Sequence, residues 1–316
     1  MGCGFELIID PANSEIDRLG CQSLCEEVEE MVLDWHRMLS VFDEYSVISR
    51  FNNAAPGESV RVSNDLGTLL LECDRIRTQT HGAFDISVGS LMNRLGFREN
   101  TRTASRSFST PDSGLPGDAE KYGYDQARGT LTKIAPQVQL DFGAVAKGMV
   151  LDRAGEMLAE QGVHSAFLHG GGSSILAIGR NEDDRPWTAR IGTMHGEAIE
   201  VENIALGISN QAGRTGSYEG IDIGHIVDPR TSSPCTLENT HWVCVHRSAL
   251  TADAYSTAVS VDARLAQELA SPDCAFVRLD GEGVINERID PYSIIGNNQQ
   301  ETRITDSITE PAAECL

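Results

Sequence analysis

A carboxylate and two hydroxyls fall close together in Thr251-Ala252-Asp253-Ala254-Tyr255-Ser256-Thr257-Ala258. On a helix, Asp253, Ser256 and Thr257 stand at i, i+3 and i+4 and share a face. Hard oxygen donors of this kind suit Mg²⁺, which keeps positions for waters and phosphate oxygens. The same residues also fit a plain helix start, with Thr251 as the cap and Asp253 favoured by the helix dipole. A second segment, Gln139-Leu140-Asp141-Phe142-Gly143-Ala144-Val145-Ala146-Lys147-Gly148, reads as a strand, a glycine turn and a helix with a lysine in its first turn. Free N–H groups at such a helix start favour anions, and Lys147 adds a point charge for a phosphate. The spacing is not that of a Walker A loop, and an ordinary strand–helix turn would look the same.

Three further segments are weaker alone. In His81-Gly82-Ala83-Phe84-Asp85-Ile86-Ser87 small residues flank Phe84, so a backbone could lie close to a planar ligand, or Phe84 could simply be core. His225-Ile226-Val227-Asp228-Pro229-Arg230-Thr231 offers a histidine able to accept a proton from a hydroxyl near neutral pH, beside an Asp-Pro turn. A structural, hydrogen-bonded histidine fits there equally. His169-Gly170-Gly171-Gly172 looks like an esterase oxyanion loop, but the chain has no GxSxG, which argues against a serine hydrolase. Those glycines fit a close approach of backbone to a strand or ligand. The other histidines (His36, His164, His195, His241 and His246) lack metal-ligand spacing and read as structural.

Several elements must position these groups. Phe5–Ile9 reads as a strand closed by Asp10-Pro11, followed by a long helix starting near Ser14. Leu24, Val28, Met31, Trp35 and Leu39 form its apolar stripe, with acidic residues opposite. Residues 42–60 read as loop, Ser63–Arg77 as a second helix, and 96–128 as a polar, exposed excursion. Val138 and Leu140 alternate with glutamines as in a strand, and Ala144–Gln161 has helical periodicity ended by Gly162. Ser165–Leu168, Ile175–Ile178, 242–245 and Ala275–Leu279 read as strands, Ala249–Leu269 as one helix, and residues 300–316 as a frayed tail. Helices and strands interleave without regular βαβ units. The expected class is therefore α+β, a mixed sheet packed with helices, in one domain spanning 1–316.

Composition narrows the partners. The formal net charge is −22, a surface that repels nucleic acid and anionic membranes, so neither is expected as a partner. An anionic substrate would then need a metal or local cations. No apolar stretch approaches the roughly 20 residues of a membrane span. The eight cysteines include no CxxC pair, and Cys21 and Cys25 are four apart on the first helix, so free thiols are expected. Met1-Gly2-Cys3-Gly4-Phe5 carries no basic segment followed by an apolar run, which reads as cytoplasmic.

It is the order of the segments that points to a family. Met1–Phe5 looks like an MGT-x-F opening strand, Ser46-Val47-Ile48-Ser49-Arg50-Phe51-Asn52 is similar to DSxISRxN, and Gly82–Ile86 matches GAFDI. Leu140–Gly148 matches DLGGIAKG, Leu168–Gly179 looks like NLGGDIxALG, His225–Thr231 matches HIIDPRTG, and Ala252–Ala258 matches ADALSTA. With these segments in this order, from the first residue to about 280, the chain resembles the ApbE family of FAD:protein FMN transferases. The resemblance implies the fold of that family, FAD as substrate, Mg²⁺ as metal, and an acceptor protein whose Ser or Thr hydroxyl receives FMN as AMP leaves. It implies metal ligands at Asp253, Ser256, Thr257 and Ala144, the last through its carbonyl. FAD contacts would fall at Met1, Phe42, Ala83, Phe84, Asp85, Asp141, Lys147 and Val227. His225 would be the base that activates the acceptor, with Asp253 as its catalytic metal partner.

The chain also departs from the family pattern. The glycine pair of DLGGI is Gly143-Ala144, the DPRT turn ends in Ser232, and a TSG segment appears as Ile208-Ser209-Asn210. Many relatives are exported, although this sequence shows no leader. Two alternatives share the same pocket. One is an FAD pyrophosphatase that uses water as nucleophile, and the other is a non-catalytic flavin-binding protein.

Overall fold

The structure, a computed structural model, describes residues 3–98, 121–191, 196, 198–210, 215–218, 221–295 and 314–315. Strand β1 (Phe5–Ile9) ends at Asp10, whose carboxylate accepts from Ala12 N and Asn13 Nδ2 and holds a short 3₁₀ turn. This turn delays the first helix. α1 (Arg18–Leu39) starts at Asp17, which caps Gly20 N, and not at Ser14, whose hydroxyl donates back to Asp10 O. Leu24, Val28, Trp35 and Leu39 are buried along its inner stripe, joined by Cys21 and Cys25. The stretch expected to be loop holds α2 (Val47–Asn53) and β2 (Ser59–Arg61). Ser46 caps α2 while Ile48 and Phe51 anchor it in the core, and seven residues are too few to show a period.

α3 (Asn64–Gln79), capped by Ser63, and α4 (Gly89–Arg94) follow. Strands β3 (Tyr122–Asp125) and β4 (Thr130–Lys133) pair with β2 in a small sheet, so the end of the polar excursion is ordered strand; residues 99–120 lie outside the described residues. The segment around Val138 and Leu140 is no strand beyond a single bridge from Gln139 to Val88. The side chain of Asn52 takes the place of a neighbouring strand there: Leu140 N donates to its Oδ1 at 2.6 Å and its Nδ2 donates to Leu140 O at 3.0 Å.

α5 (Ala146–Glu160) leads to β5 (Ala166–Gly170), β6 (Ser174–Ile178) and the hairpin of β7 (Trp187–Arg190) and β8 (Ala198–Val201). β9 (Ile204–Asn210), the short pairs β10 (Thr215–Tyr218) with β11 (Ile221–Gly224) and β12 (Val227–Asp228) with β13 (Ser233–Pro234), and β14 (Thr240–His246) come next. The expected single helix over 249–269 is two, α6 (Ala249–Val261) and α7 (Leu265–Leu269). Asp262 breaks it in extended conformation, with its carboxylate accepting from Arg264 N and the Arg264 side chain. β15 (Cys274–Asp280), β16 (Ile285–Ile289) and β17 (Glu314–Cys315) complete the chain. β17 lies in the tail expected to fray and pairs with β1; the rest of 300–316 lies outside the described residues.

The α+β class is realised around one sheet in the order β16-β15-β14-β9-β6-β5-β1-β17, with antiparallel neighbours throughout. One face packs on α1, α5 and α6, and the β7–β8 hairpin covers the other around Val243, Val245, Ala275 and Val277. Among the described residues no helix is long and apolar enough to cross a membrane.

Candidate active site

α5 has no side-chain cap of its own at Val145, and the missing acceptor comes from another helix. The Asp253 carboxylate of α6 reaches over and accepts from Gly148 N at 2.8 Å. Ser174 of β6 donates to the same carboxylate, 2.7 Å and 2.8 Å from its two oxygens. Two glycines permit this closeness. A Cβ on Gly148 would overlap the Ala249 carbonyl, and one on Gly207 of β9 would overlap the Ala252 backbone. Asp253 is 5% exposed. Burial pushes its carboxyl up to about 6, against the pull of Lys147 and the hydrogen bonds from Ser174 and Gly148.

One turn along α6, Ser256 and Thr257 donate to the carbonyl of Asp253, each at 3.0 Å. The Ser209 hydroxyl lies 2.8 Å from Ser256 Oγ and 3.2 Å from Thr257 Oγ1, so β9 adds a third hydroxyl. Asp253, Ser256 and Thr257 border a cavity of about 920 Å³, as do Lys147, Gly143 and Ala144 of the turn into α5. That volume lies within the ~300–1,000 Å³ usual for small-molecule sites. Among the described residues no three His, Cys, Asp or Glu side chains converge to hold a metal. One buried carboxylate with hydroxyl and carbonyl oxygens beside it fits a hard dication that fills its shell with water and phosphate.

Much of the remaining lining comes from loops. Phe42 lies on the rim, 59% exposed, its N–H bonded to Ser40 Oγ. Ala83 and Phe84 are buried members of the same lining. The Asp85 carboxylate is taken by Lys121 Nζ at 2.6 Å and by the N–H and hydroxyl of Ser87. Asp141 is held by Arg98, whose Nε and Nη2 lie 3.0 Å and 2.8 Å from Oδ2, while Gly143 N donates to Oδ1. Arg98 also donates to Leu140 O, and Gly89 leaves the room its guanidinium needs. His225 stands edge-to-face with Phe97, ring centroids 6.5 Å apart, followed by Val227. Arg230 pairs with both carboxylate oxygens of Asp228 and reaches Asp262 at the end of α6, tying the His225 loop to that helix.

Every candidate position among the described residues therefore borders one cavity; Met1 lies outside the described residues. Gly171 and Gly172 line it too, with φ of 58° and 68°, so the glycine run serves a turn at the cavity edge. Two histidines read as structural, His36 and His241, are in the lining. His241 Nε2 lies 3.3 Å from Asn210 Nδ2, and burial lowers its pKa. Arg98, Lys121, Ser174 and Ser209 carried no local pattern. Ser174 and Ser209 at least fall inside segments compared with the family pattern, whereas Arg98 and Lys121 fall in the polar excursion with residue type as their only sign.

The sequence profile of the ApbE family matches residues 1–275. The chain belongs to the ApbE family. Among curated ApbE relatives, it is 29% identical over 253 residues to the FAD:protein FMN transferase of Haemophilus influenzae, covering 75% of this chain and 71% of that protein. With the enzyme of the same name from Vibrio cholerae the identity is 28% over 255 residues, covering 76% and 73%. The crystal structure of the ApbE protein of Thermotoga maritima superposes with a TM-score of 0.76 at 24% identity, covering 93% of this chain and 96% of that one. The apo flavinyl transferase ApbE of Pseudomonas stutzeri gives 0.75 at 22% identity and 92% of each chain. These two structural likenesses concern the ApbE fold.

Proposed function

We propose that this chain transfers FMN from FAD to a Ser or Thr hydroxyl of an acceptor protein, with a bound Mg²⁺, releasing AMP. The observation that carries the reading is the convergence of Lys147, His225, Asp253, Ser256 and Thr257 on one dinucleotide-sized cavity in an ApbE-family chain. Mg²⁺ would be held by Asp253, Ser256, Thr257 and the Ala144 carbonyl, and would offset charge on the diphosphate. Lys147 supplies a second positive charge at the start of α5, in a protein otherwise strongly acidic. Phe42, Ala83, Phe84, Asp85, Asp141 and Val227 would hold the dinucleotide along the rest of the cavity.

A phosphoryl-type transfer follows from these roles. An imidazole nitrogen of His225 takes the proton from the acceptor hydroxyl. The hydroxyl oxygen bonds to the phosphorus of the FMN half, the bond from that phosphorus to the bridging oxygen breaks, and AMP leaves with the electron pair. Positioning supplies most of the rate, since acceptor and phosphorus must meet in line.

A source-organism lysate incubated with the protein, FAD and Mg²⁺ tests the reading. Flavin fluorescence should persist in a protein band after denaturing electrophoresis, and the mass of its peptide should rise by one FMN residue. Free FMN and AMP without an adduct would mean the pyrophosphatase, and FAD recovered intact would mean a binding protein. Asp253→Ala should abolish the adduct; labelling at the wild-type rate in Mg²⁺ would defeat the metal assignment.

A further inference from the structure

α5 and α6 cap one another. Asp253 of α6 accepts from Gly148 N in the first turn of α5. In the reverse direction the Asp152 carboxylate of α5 accepts from Ala249 N at 2.6 Å, from Leu250 N at 3.0 Å and from the Ser248 hydroxyl at 2.7 Å. Ser248 is itself the N-cap of α6, accepting from Thr251 N at 3.2 Å. Each helix thus uses a carboxylate to satisfy the free first-turn N–H groups of the other.

This exchange bears on the helices' register where they meet. At Gly148 the contact is backbone against backbone, and a Cβ there would overlap Ala249. Side chains that interlock as ridges and grooves normally fix how far one helix slides along another. Side chains of both helices do share the core clusters here, and the two carboxylates add a directional constraint on the slide. The displacement they control runs between Lys147 on α5 and Asp253, Ser256 and Thr257 on α6. An error of about 1 Å between such groups can cost about a hundredfold in rate.

We infer that Asp152 is a positioning residue of the active site, holding the oxygen cluster of α6 in register with Lys147. The inference rests on the reading of that cluster as a divalent-cation site. Asp152 does not line the cavity, and its effect passes through the first turn of α6.

The test uses the full chain and Mn²⁺ alone as probe, titrated by loss of the free-ion EPR signal. Thermal unfolding is followed on the same samples. Wild type should bind Mn²⁺ and Asp253→Ala should not. Asp152→Ala should raise the Mn²⁺ dissociation constant by about tenfold or more, the usual scale for losing a residue that orients a ligand. Asp152→Asn keeps one acceptor oxygen and should fall between the two. Ser63→Ala removes the cap of α3, where Ser63 Oγ accepts from Leu66 N, and should lower Tm with Mn²⁺ affinity unchanged. If Asp152→Ala loses Tm like Ser63→Ala and keeps wild-type affinity, Asp152 is structural only and the inference is overturned. Should the alanine variant fail to fold, wild-type affinity in Asp152→Asn overturns it equally. Wild type that binds no Mn²⁺ overturns the cation-site reading and this inference together, an outcome visible before any Asp152 variant is made.

Discussion

On one wall of the cavity Lys147, Asp253, Ser256 and Thr257 stand on two helices whose backbones touch. On the other wall Phe42, Asp85, Asp141 and His225 stand on loops tied down by Ser40, Lys121, Arg98 and Arg230. The helical wall is continuous with the core, where Ala249, Ala252, Ala254 and Ala258 are fully buried. The loop wall is fastened by separate polar contacts, each attached to a different element. Damage to the packing of the first should therefore cost the most folding free energy, and damage to the second less of it.

The sharpest way to break that contrast is Gly207→Ala. The new methyl would overlap the backbone of Ala252, and backbone cannot swing aside as a flexible side chain can. The expected cost exceeds about 3 kcal/mol in urea unfolding, the upper end for overpacked cores. A loss below about 1 kcal/mol would show that the helical wall gives way, and the contrast would fail.

Next comes the pH dependence of Asp253. Its folded pKa is pushed up from 3.8 to about 6, chiefly by burial. The native state then holds more protons than the unfolded state between these values. Stability accordingly falls as pH rises through that window, and the full penalty is present above about 6. At 1.36 kcal/mol per unit this amounts to about 3 kcal/mol, carried by a group on the rigid wall. Without divalent cations, the stability of Asp253→Asn minus that of wild type should grow by this order from pH 4 to 7. Mg²⁺ should recover more stability at pH 7.5 than at pH 5. A difference flat in pH would place the carboxyl near its ordinary value and remove the argument.

Arg98→Met probes the loop wall at a largely buried ion pair. It strands the Asp141 carboxylate, whose partner side chain is only 8% exposed while Asp141 is 18% exposed. Breaking a fully buried pair costs ~3–5 kcal/mol, and partial exposure of Asp141 reduces this to about 2. Urea unfolding reads it directly, and a change under about 0.5 kcal/mol would mean that Asp141 needs no clamp.

The two walls also differ in how far the sequence discloses them. Asp253, Ser256 and Thr257 repeat at helical spacing, and Lys147 follows a glycine turn, so each group shows in a short window. Arg98, Asn52 and Ser174 act on Asp141, Leu140 and Asp253, partners 43, 88 and 79 residues away. No local pattern encodes such pairs. The fold divides similarly. β1 and α3 follow directly from residue type, whereas β9 is buried on both faces over Ala205–Gly207 and shows no alternation. α2 is shorter than the window that reveals a period. The break at Asp262 depends on a side chain folding back on Arg264 N, which apolar spacing does not register.

The smallest expected change in stability belongs to Phe42→Ala. The ring is 59% exposed on the rim, and its loop is held through the backbone by Ser40 Oγ, a contact that survives the substitution. Unfolding free energy should stay within about 0.5 kcal/mol of wild type, as for surface changes generally. FAD affinity, followed by quenching of flavin fluorescence, should nevertheless fall. An aromatic contact worth ~0.5–1.5 kcal/mol corresponds to roughly 2- to 12-fold in the dissociation constant. A variant as stable as wild type and binding FAD as tightly would remove Phe42 from the flavin site. One that binds equally but unfolds easily would show the rim to be welded to the core, as the helical wall is.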